Sequence, residues 1–136
     1  MPAAESFFLD TNVVLYALSD DVAKRAVAER LLAGRPVIST QVLSEAGNVL
    51  HRKYGVPRTD VVREIESVRT LARTVVAVDM AAIELAWKLW LRDGFSWFDC
   101  LILAAALLAG CPVLYTEDMQ HGQVIDGSLT LVNPFL

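Results

Sequence analysis

The chain has 136 residues, of which 54% are hydrophobic, and its formal net charge is −4. This length predicts one domain, residues 1–136, with a core that needs no disulfide or structural metal. No apolar run approaches the roughly 20 residues of a membrane span, and the segment Met1–Glu5 lacks the features of a secretory signal. We therefore expect a cytoplasmic protein and exclude an integral membrane protein.

Charge is distributed unevenly along the chain. Half of all lysines and arginines lie between His51 and Arg73, whereas no Lys or Arg follows Arg92 and acidic residues accumulate there. A basic segment combined with acidic ends is typical of a protein that holds a divalent cation and attracts a polyanion. Solvated helix faces of mixed charge are the alternative explanation for any single arginine.

The chain alternates short apolar strands with helices, which predicts an α/β fold with a mainly parallel central sheet. Asp79 and Ser96 are predicted to cap helices, as are Ser19–Asp21, Ser39 or Thr40, and Thr59, and a turn is expected at Asp126-Gly127. The predicted strands are 7–9, 36–38, 74–78, 112–115 and 129–132, and the predicted helices are 13–18, 22–32, 41–54, 59–69, 80–92 and 96–110.

The predicted helix around 100–108 is apolar nearly all round and should be the central buried helix. Cys100 and Cys111 lie in apolar segments without partners at metal-binding spacing, so we expect free, buried thiols. Trp87 and Trp90 share one helical face with Ile83, which is more often a core face than an interface, although both remain open. Trp97 and Phe98 are expected to pack under the following helix, with stacking on an RNA base as the alternative.

Four acidic residues occupy similar positions in this pattern. Asp10 and Asp118 each follow an apolar strand, Glu45 lies on the flank of a helical apolar stripe, and Asp99 opens a helix in a Ser96-x-x-Asp99 pattern. Ligands of open α/β sheets bind at the carboxyl ends of the strands, which makes these acids candidates for a site. Helix capping is the structural alternative for Asp10 and Asp99.

Four carboxylates brought together would repel one another, and a bound cation removes that repulsion. Ligation by oxygen alone, without His or Cys, favours Mg²⁺ or Mn²⁺. Such an ion orients a phosphodiester, neutralises developing charge and activates a water for attack. The acids and the basic segment together indicate hydrolysis of a nucleic-acid backbone.

Five segments, in order and spacing, resemble the PIN-domain ribonucleases and most closely the VapC-type toxins of toxin–antitoxin pairs. The resemblance covers essentially the whole chain, and Cys100 stands where a small residue such as Ala is common. The segments are Phe8-Leu9-Asp10-Thr11-Asn12-Val13, Ser44-Glu45, Phe98 to Ala106, Leu114 to Met119, and Asn133-Pro134-Phe135.

The resemblance implies a three-layer α/β/α fold and a Mg²⁺- or Mn²⁺-dependent endoribonuclease that forms homodimers, or higher toxin–antitoxin assemblies, and is inhibited by a cognate antitoxin protein. It also implies a metal site at Asp10, Glu45, Asp99 and Asp118, with Asp10 and Asp99 as direct ligands. Supporting positions correspond to Thr116 and to Thr11 or Asn12. Glu117, a fifth acid, binds a second metal or faces solvent, and a supporting role is favoured.

Two other functions compete with this one. A PIN-like module without catalysis would act through protein contacts, but the intact set of four acids argues against it. A phosphatase of the haloacid-dehalogenase type requires a second Asp where this chain has Asn12, and a receiver domain requires an acidic pair and a strand-end Lys that the sequence lacks.

Overall fold

The computed structural model describes residues 6–136. The expectation about a secretory signal, at Met1–Glu5, lies outside these described residues. Residues 6–136 form six strands and six helices. They are β1 (Phe7–Leu9), α1 (Thr11–Ala17), α2 (Val22–Ala33), β2 (Val37–Ser39), α3 (Thr40–Arg52), α4 (Arg58–Leu71), β3 (Thr74–Val76), α5 (Met80–Asp93), α6 (Trp97–Leu108), β4 (Val113–Tyr115), β5 (Val124–Ile125) and β6 (Leu129–Val132).

The strands form one sheet in the order β3-β2-β1-β4-β6-β5. Every neighbouring pair is parallel except β5 and β6, which confirms the predicted α/β fold. Helices α1 to α4 pack on one another, whereas α5 packs on α6. Because β1 and β4 run in parallel with Leu9 opposite Tyr115, the residues that follow these two strands emerge side by side at one edge of the sheet.

Several helices begin where a side chain caps them, as the sequence predicts. Asp79 accepts a hydrogen bond from Ala82 N, and Ser96 accepts one from Asp99 N. The prediction for Thr59 was wrong: Pro57 occupies the N-cap position of α4 and Thr59 lies inside the helix. Helix α1 begins two residues earlier than predicted because Asp10 is itself the N-cap.

Helix α6 is the central buried helix, as predicted, and every residue from Cys100 to Ala106 is buried. Cys100 and Cys111 are both buried and free, which confirms the prediction for the thiols. Within residues 6–136, no helix has both the length and the apolar character needed to cross a membrane.

The aromatic side chains near α5 and α6 are more exposed than a core position allows. Trp87 is 47% exposed, Trp90 is 51% exposed and Phe98 is 63% exposed. The inner face of α5 is formed instead by Ala82, Ala86 and Leu89, which are all buried. The predicted packing of Phe98 under the helix was therefore wrong, whereas Trp97 does pack against the core.

The C-terminal part of the chain contains one strand that the sequence pattern did not reveal. Strand β5 has only two residues and pairs antiparallel with β6. The predicted turn at Asp126-Gly127 connects the two strands, and both residues have positive φ values of 51° and 68°. Such values match the tight turns that suit the twist of a β-hairpin.

Candidate active site

Asp10 lies at the carboxyl end of β1, with only 5% of its surface exposed. One carboxylate oxygen accepts a hydrogen bond from Thr11 N at 2.7 Å, and the other accepts from Thr116 Oγ1 at 2.9 Å. Thr116 is fully buried and directly follows β4, so the parallel pairing of β1 with β4 creates this contact. Asp10 therefore caps α1 and also faces the edge of the sheet where the other acids lie.

Burial raises the pKa of Asp10 from 3.8 to about 7. The hydrogen bonds from Thr116 and Thr11 favour the charged form, but they only partly offset the cost of removing the carboxylate from water. The negative charges of Asp99 and Asp118 raise the pKa further. Asp10 is thus a carboxylate whose charge lacks full compensation from the protein.

Asp99 is the third residue of α6, and its backbone N–H is capped by Ser96 Oγ at 3.3 Å. Partial burial raises the pKa of Asp99, and the charges of Asp118 and Glu45 add to the increase. The cap is a bond to the backbone N–H of Asp99, and a hydrogen bond from the Ser96 side chain to the carboxylate lowers the pKa and partly offsets burial. The carboxylate still has further lone pairs that can serve a site. Capping and site formation are compatible at both Asp10 and Asp99.

Glu45 is partly buried on α3 and both of its carboxylate oxygens are held. Thr11 Oγ1 donates to one oxygen at 3.2 Å, and Gln41 Nε2 donates to the other at 2.6 Å. The same Gln41 nitrogen also donates to the backbone oxygen of Phe98 at 3.2 Å. The sequence analysis did not single out Gln41; its position one helical turn before Glu45 was the available signal.

Asp118 follows β4, as predicted, and its backbone N–H donates to Thr116 Oγ1 at 3.2 Å. Thr116 therefore accepts a hydrogen bond from the Asp118 N–H and donates one to Asp10, so it links the residues that follow β4 to the acid at the end of β1. Asn12 has a similar bridging position, because its Oδ1 accepts from Glu117 N at 3.3 Å and its Nδ2 lies 3.5 Å from Asp10 Oδ2.

Glu117 is partly exposed and contacts two side chains, Tyr16 and Lys24. Its carboxylate accepts a hydrogen bond from Tyr16 OH at 2.6 Å and forms an ion pair with Lys24 Nζ at 2.5 Å. The Lys24 ammonium lowers the pKa of Glu117, with the Tyr16 hydroxyl second in effect. The charge of Glu117 is therefore paired with that of Lys24.

The four remaining acids suit a divalent cation by their chemistry. Their ligand atoms are all carboxylate oxygens, the atoms that Mg²⁺ and Mn²⁺ prefer. Across residues 6–136, no three His, Cys, Asp or Glu side chains are close enough to enclose an ion. Mg²⁺ usually binds through one or two carboxylates and keeps several waters, so an open cluster around the buried Asp10 fits such an ion.

A cleft of about 820 Å³ lies between Asp118, one acid of this cluster, and Lys53 of the basic segment. Asn12 and Asp118 line one part of the cleft, while Lys53 and Tyr54, after α3, line another. The six basic side chains of the predicted basic segment are all exposed, and two of them, Arg63 and Arg69, pair with acids of α4 at 3.4 Å. Of these six basic side chains, Lys53 is the one that lines the cleft, and Asp118 is the acid of the cluster that does so.

Asp10 should make the metal-free protein less stable as the pH rises. Its folded pKa of about 7 exceeds the ordinary 3.8, so the folded state favours the protonated form and this advantage is lost between pH 4 and 7. Asp10→Asn, which does not titrate, should gain stability relative to the wild type by up to about 1.4 kcal/mol per pH unit in that range. Urea unfolding of both proteins with EDTA measures this; a difference independent of pH would contradict it.

The chain is similar to one protein family and to several solved structures. The family model described as PIN domain matches residues 7–125. The VapC20 toxin of Mycobacterium tuberculosis, which cleaves the sarcin–ricin loop, is 25% identical, with a TM-score of 0.67 over 83% of this chain and 90% of that one. A search of the curated proteins found no match.

Two further solved structures have a similar fold at lower identity. A toxin–antitoxin complex from Klebsiella pneumoniae contains a chain that is 23% identical, with a TM-score of 0.68 over 95% of this chain and 98% of that one. FitAcB from Neisseria gonorrhoeae is 18% identical, with a TM-score of 0.70 over the same shares of the two chains. These two likenesses support the fold.

Proposed function

The chain belongs to the PIN-domain family, and we propose that it is a metal-dependent endoribonuclease that acts as the toxin of a toxin–antitoxin pair. The observation that carries this proposal is the buried carboxylate of Asp10 at the carboxyl end of β1: burial raises its pKa, and the nearby charges of Asp99 and Asp118 raise it further. The similarity to a toxin that cleaves an RNA loop supports RNA as the substrate.

Asp10 and Asp99 are the proposed direct ligands of Mg²⁺ or Mn²⁺, with Glu45 and Asp118 completing the site. When bound, the cation neutralises charge on the scissile phosphate and lowers the pKa of an attacking water. Thr116 and Thr11 fix the orientation of Asp10 through their hydrogen bonds to both of its oxygens.

Glu45 and Asp118 have the second task of orienting the attacking water and accepting its proton. Glu45 is suited to this because Thr11 and Gln41 hold its carboxylate in one direction. Asp118 is suited because its backbone is tied through Thr116 to Asp10. Positioned carboxylates of this kind act as general bases in hydrolysis.

The cleft offers a path for a single-stranded RNA segment. Exposed basic side chains near Lys53 attract phosphates without recognising sequence, and the cleft then leads to Asp118 and Asn12. The exposed ring of Phe98, directly before Asp99, is available for stacking on a base. In this proposal the basic segment supplies affinity and the acid cluster supplies cleavage.

The proposed partners are a cognate antitoxin and a second copy of the chain. The Klebsiella pneumoniae structure is a toxin–antitoxin complex, which supports the first partner. A basic antitoxin side chain inserted among the four acids would replace the charge of the cation and block the site. The half-exposed Trp87 and Trp90 form the apolar surface that we assign to a homodimer, which is able to join a larger toxin–antitoxin assembly.

Purified protein incubated with a mixed pool of structured RNA tests the activity. We expect cuts in the presence of Mg²⁺ or Mn²⁺ and none with excess EDTA, because the acids alone cannot neutralise the phosphate. Readdition of Mn²⁺ should restore the same cuts, and primer extension maps them. Cleavage that persists in EDTA would contradict a metal-dependent mechanism, whereas absence of cleavage with either metal would favour a protein-binding module.

A further inference from the structure

Gln41 connects two of the acids that come from different parts of the chain. It is the second residue of α3, and its Nε2 donates to Glu45 Oε1 at 2.6 Å and to the backbone oxygen of Phe98 at 3.2 Å. Phe98 is followed directly by Asp99, in the first turn of α6. One side-chain amide therefore ties the Glu45 carboxylate to the backbone that carries Asp99.

The orientation of the Gln41 amide is set by its neighbours. Both groups near its nitrogen are acceptors, a carboxylate and a carbonyl, so reversing the amide would place oxygen against oxygen. In this orientation Gln41 Oε1 is buried, and no hydrogen-bond donor reaches it from residues 6–136. Buried unsatisfied groups are rare in proteins because they are costly. Gln41 thus makes two hydrogen bonds through its nitrogen while its side-chain oxygen has no hydrogen-bond partner among residues 6–136.

Thr11 completes the arrangement from the opposite side. It donates to the second oxygen of Glu45 at 3.2 Å, while its backbone N–H donates to Asp10 at 2.7 Å. With both oxygens held, Glu45 has one defined direction although a glutamate side chain has several rotatable bonds. Residues that hydrogen-bond to metal ligands, and so fix their orientation, strongly affect the affinity of a metal site.

We propose that Gln41 is a positioning residue of the acid cluster. Through its bond to the α6 backbone, Gln41 fixes the position of the Glu45 carboxylate relative to Asp99. The proposal rests on the function proposed above, because it requires a cation site at these acids. Gln41 itself contacts neither the cation nor the RNA. Its effect passes through Glu45, so loss of the amide should matter only while Glu45 is present.

Gln41→Met tests this role, because Met keeps the length and helix-forming character of the side chain but has no donor. We expect the dissociation constant for Mn²⁺ to rise about tenfold or more, measured by isothermal titration calorimetry without RNA. The midpoint of urea unfolding should stay close to that of the wild type, because the lost bonds are offset by removal of the unsatisfied carbonyl. Asn48→Met, at an exposed position of the same helix, is the matched control and should leave Mn²⁺ binding unchanged.

The double variant Gln41→Met/Glu45→Gln separates positioning from a general structural effect. If Gln41 acts through Glu45, the double variant should bind Mn²⁺ no more weakly than Glu45→Gln alone. Independent, additive losses would overturn the proposal, as would Mn²⁺ binding by Gln41→Met equal to that of the wild type. Those results leave the proposed nuclease intact, whereas a wild-type protein that binds no Mn²⁺ and cuts no RNA would overturn both.

Discussion

Asp99→Asn should reduce metal-dependent RNA cleavage by at least about a thousandfold while the protein remains folded. Asn keeps the shape of the side chain and the backbone contact with Ser96, but it removes the negative charge from a proposed direct ligand. A cation at such a site contributes several kcal/mol to the stabilisation of the transition state, which corresponds to a factor of this size. Single-turnover cleavage of a mapped RNA site, with unfolding measured in parallel, provides the check.

Asp60→Asn is the matched control for this experiment. Asp60 is the third residue of α4 and lies in its first turn, as Asp99 does in α6, so both variants change the same interaction with a helix N-terminus. Asp60 pairs with Arg63 on the same helix at 3.4 Å, outside the acid cluster. We expect Asp60→Asn to cut at nearly the wild-type rate. Equal cleavage rates for Asp99→Asn and the wild type would contradict the proposed role of Asp99 as a metal ligand.

Phe8→Ala should destabilise the protein by about 3–5 kcal/mol, the usual cost of truncating a buried aromatic side chain. Phe8 has no exposed surface and lies in β1, opposite Val37 of β2 and Leu114 of β4. Its loss leaves a cavity in the middle of the sheet. Because domains of this kind are stable by only about 5–15 kcal/mol, urea unfolding should show a large shift of the midpoint.

Phe98→Ala makes the same chemical change at a side chain that is 63% exposed. We expect its free energy of unfolding to stay within about 0.5 kcal/mol of the wild type, as for most surface substitutions. If Phe8→Ala and Phe98→Ala lower the free energy of unfolding by similar amounts, the position of Phe8 in the core is wrong. If Phe98→Ala also weakens RNA binding at unchanged stability, the exposed ring contributes to substrate contact.

The strand-end positions of Asp10 and Asp118 could be predicted from sequence because a short apolar run followed by an acid is a local pattern. The order of the elements followed from the same periodicity. The depth of burial of each side chain did not follow from that periodicity. On α5 the size of a side chain does not indicate burial, because alanines face the core while Trp87 and Trp90 are half-exposed. Which face of a helix packs against its neighbour depends on the distance between the two elements, and a single sequence does not contain that distance.

Two of the interactions that sequence reasoning missed join residues far apart in the chain. Lys24 and Glu117 are 93 positions apart in the chain, and nothing in either local sequence predicts that they pair. The Gln41 contact with Phe98 spans 57 positions. Only the packing of α3 near the start of α6 creates it. Local patterns thus identified the acids, whereas the fold determines which neighbours orient and neutralise each of them.

The hydrogen bond from Thr116 to Asp10 joins residues 106 positions apart, and it depends on the pairing of β1 with β4. During synthesis the N-terminal half of the chain emerges first, and it contains Asp10 and Glu45 but neither Asp99 nor Asp118. A nascent chain that stops before β4 therefore cannot assemble the cluster. In the proposed nuclease, the ability to cleave is therefore acquired only after β4 and the residues that follow it have been synthesised, so a chain that stops before β4 lacks both Thr116 and Asp118.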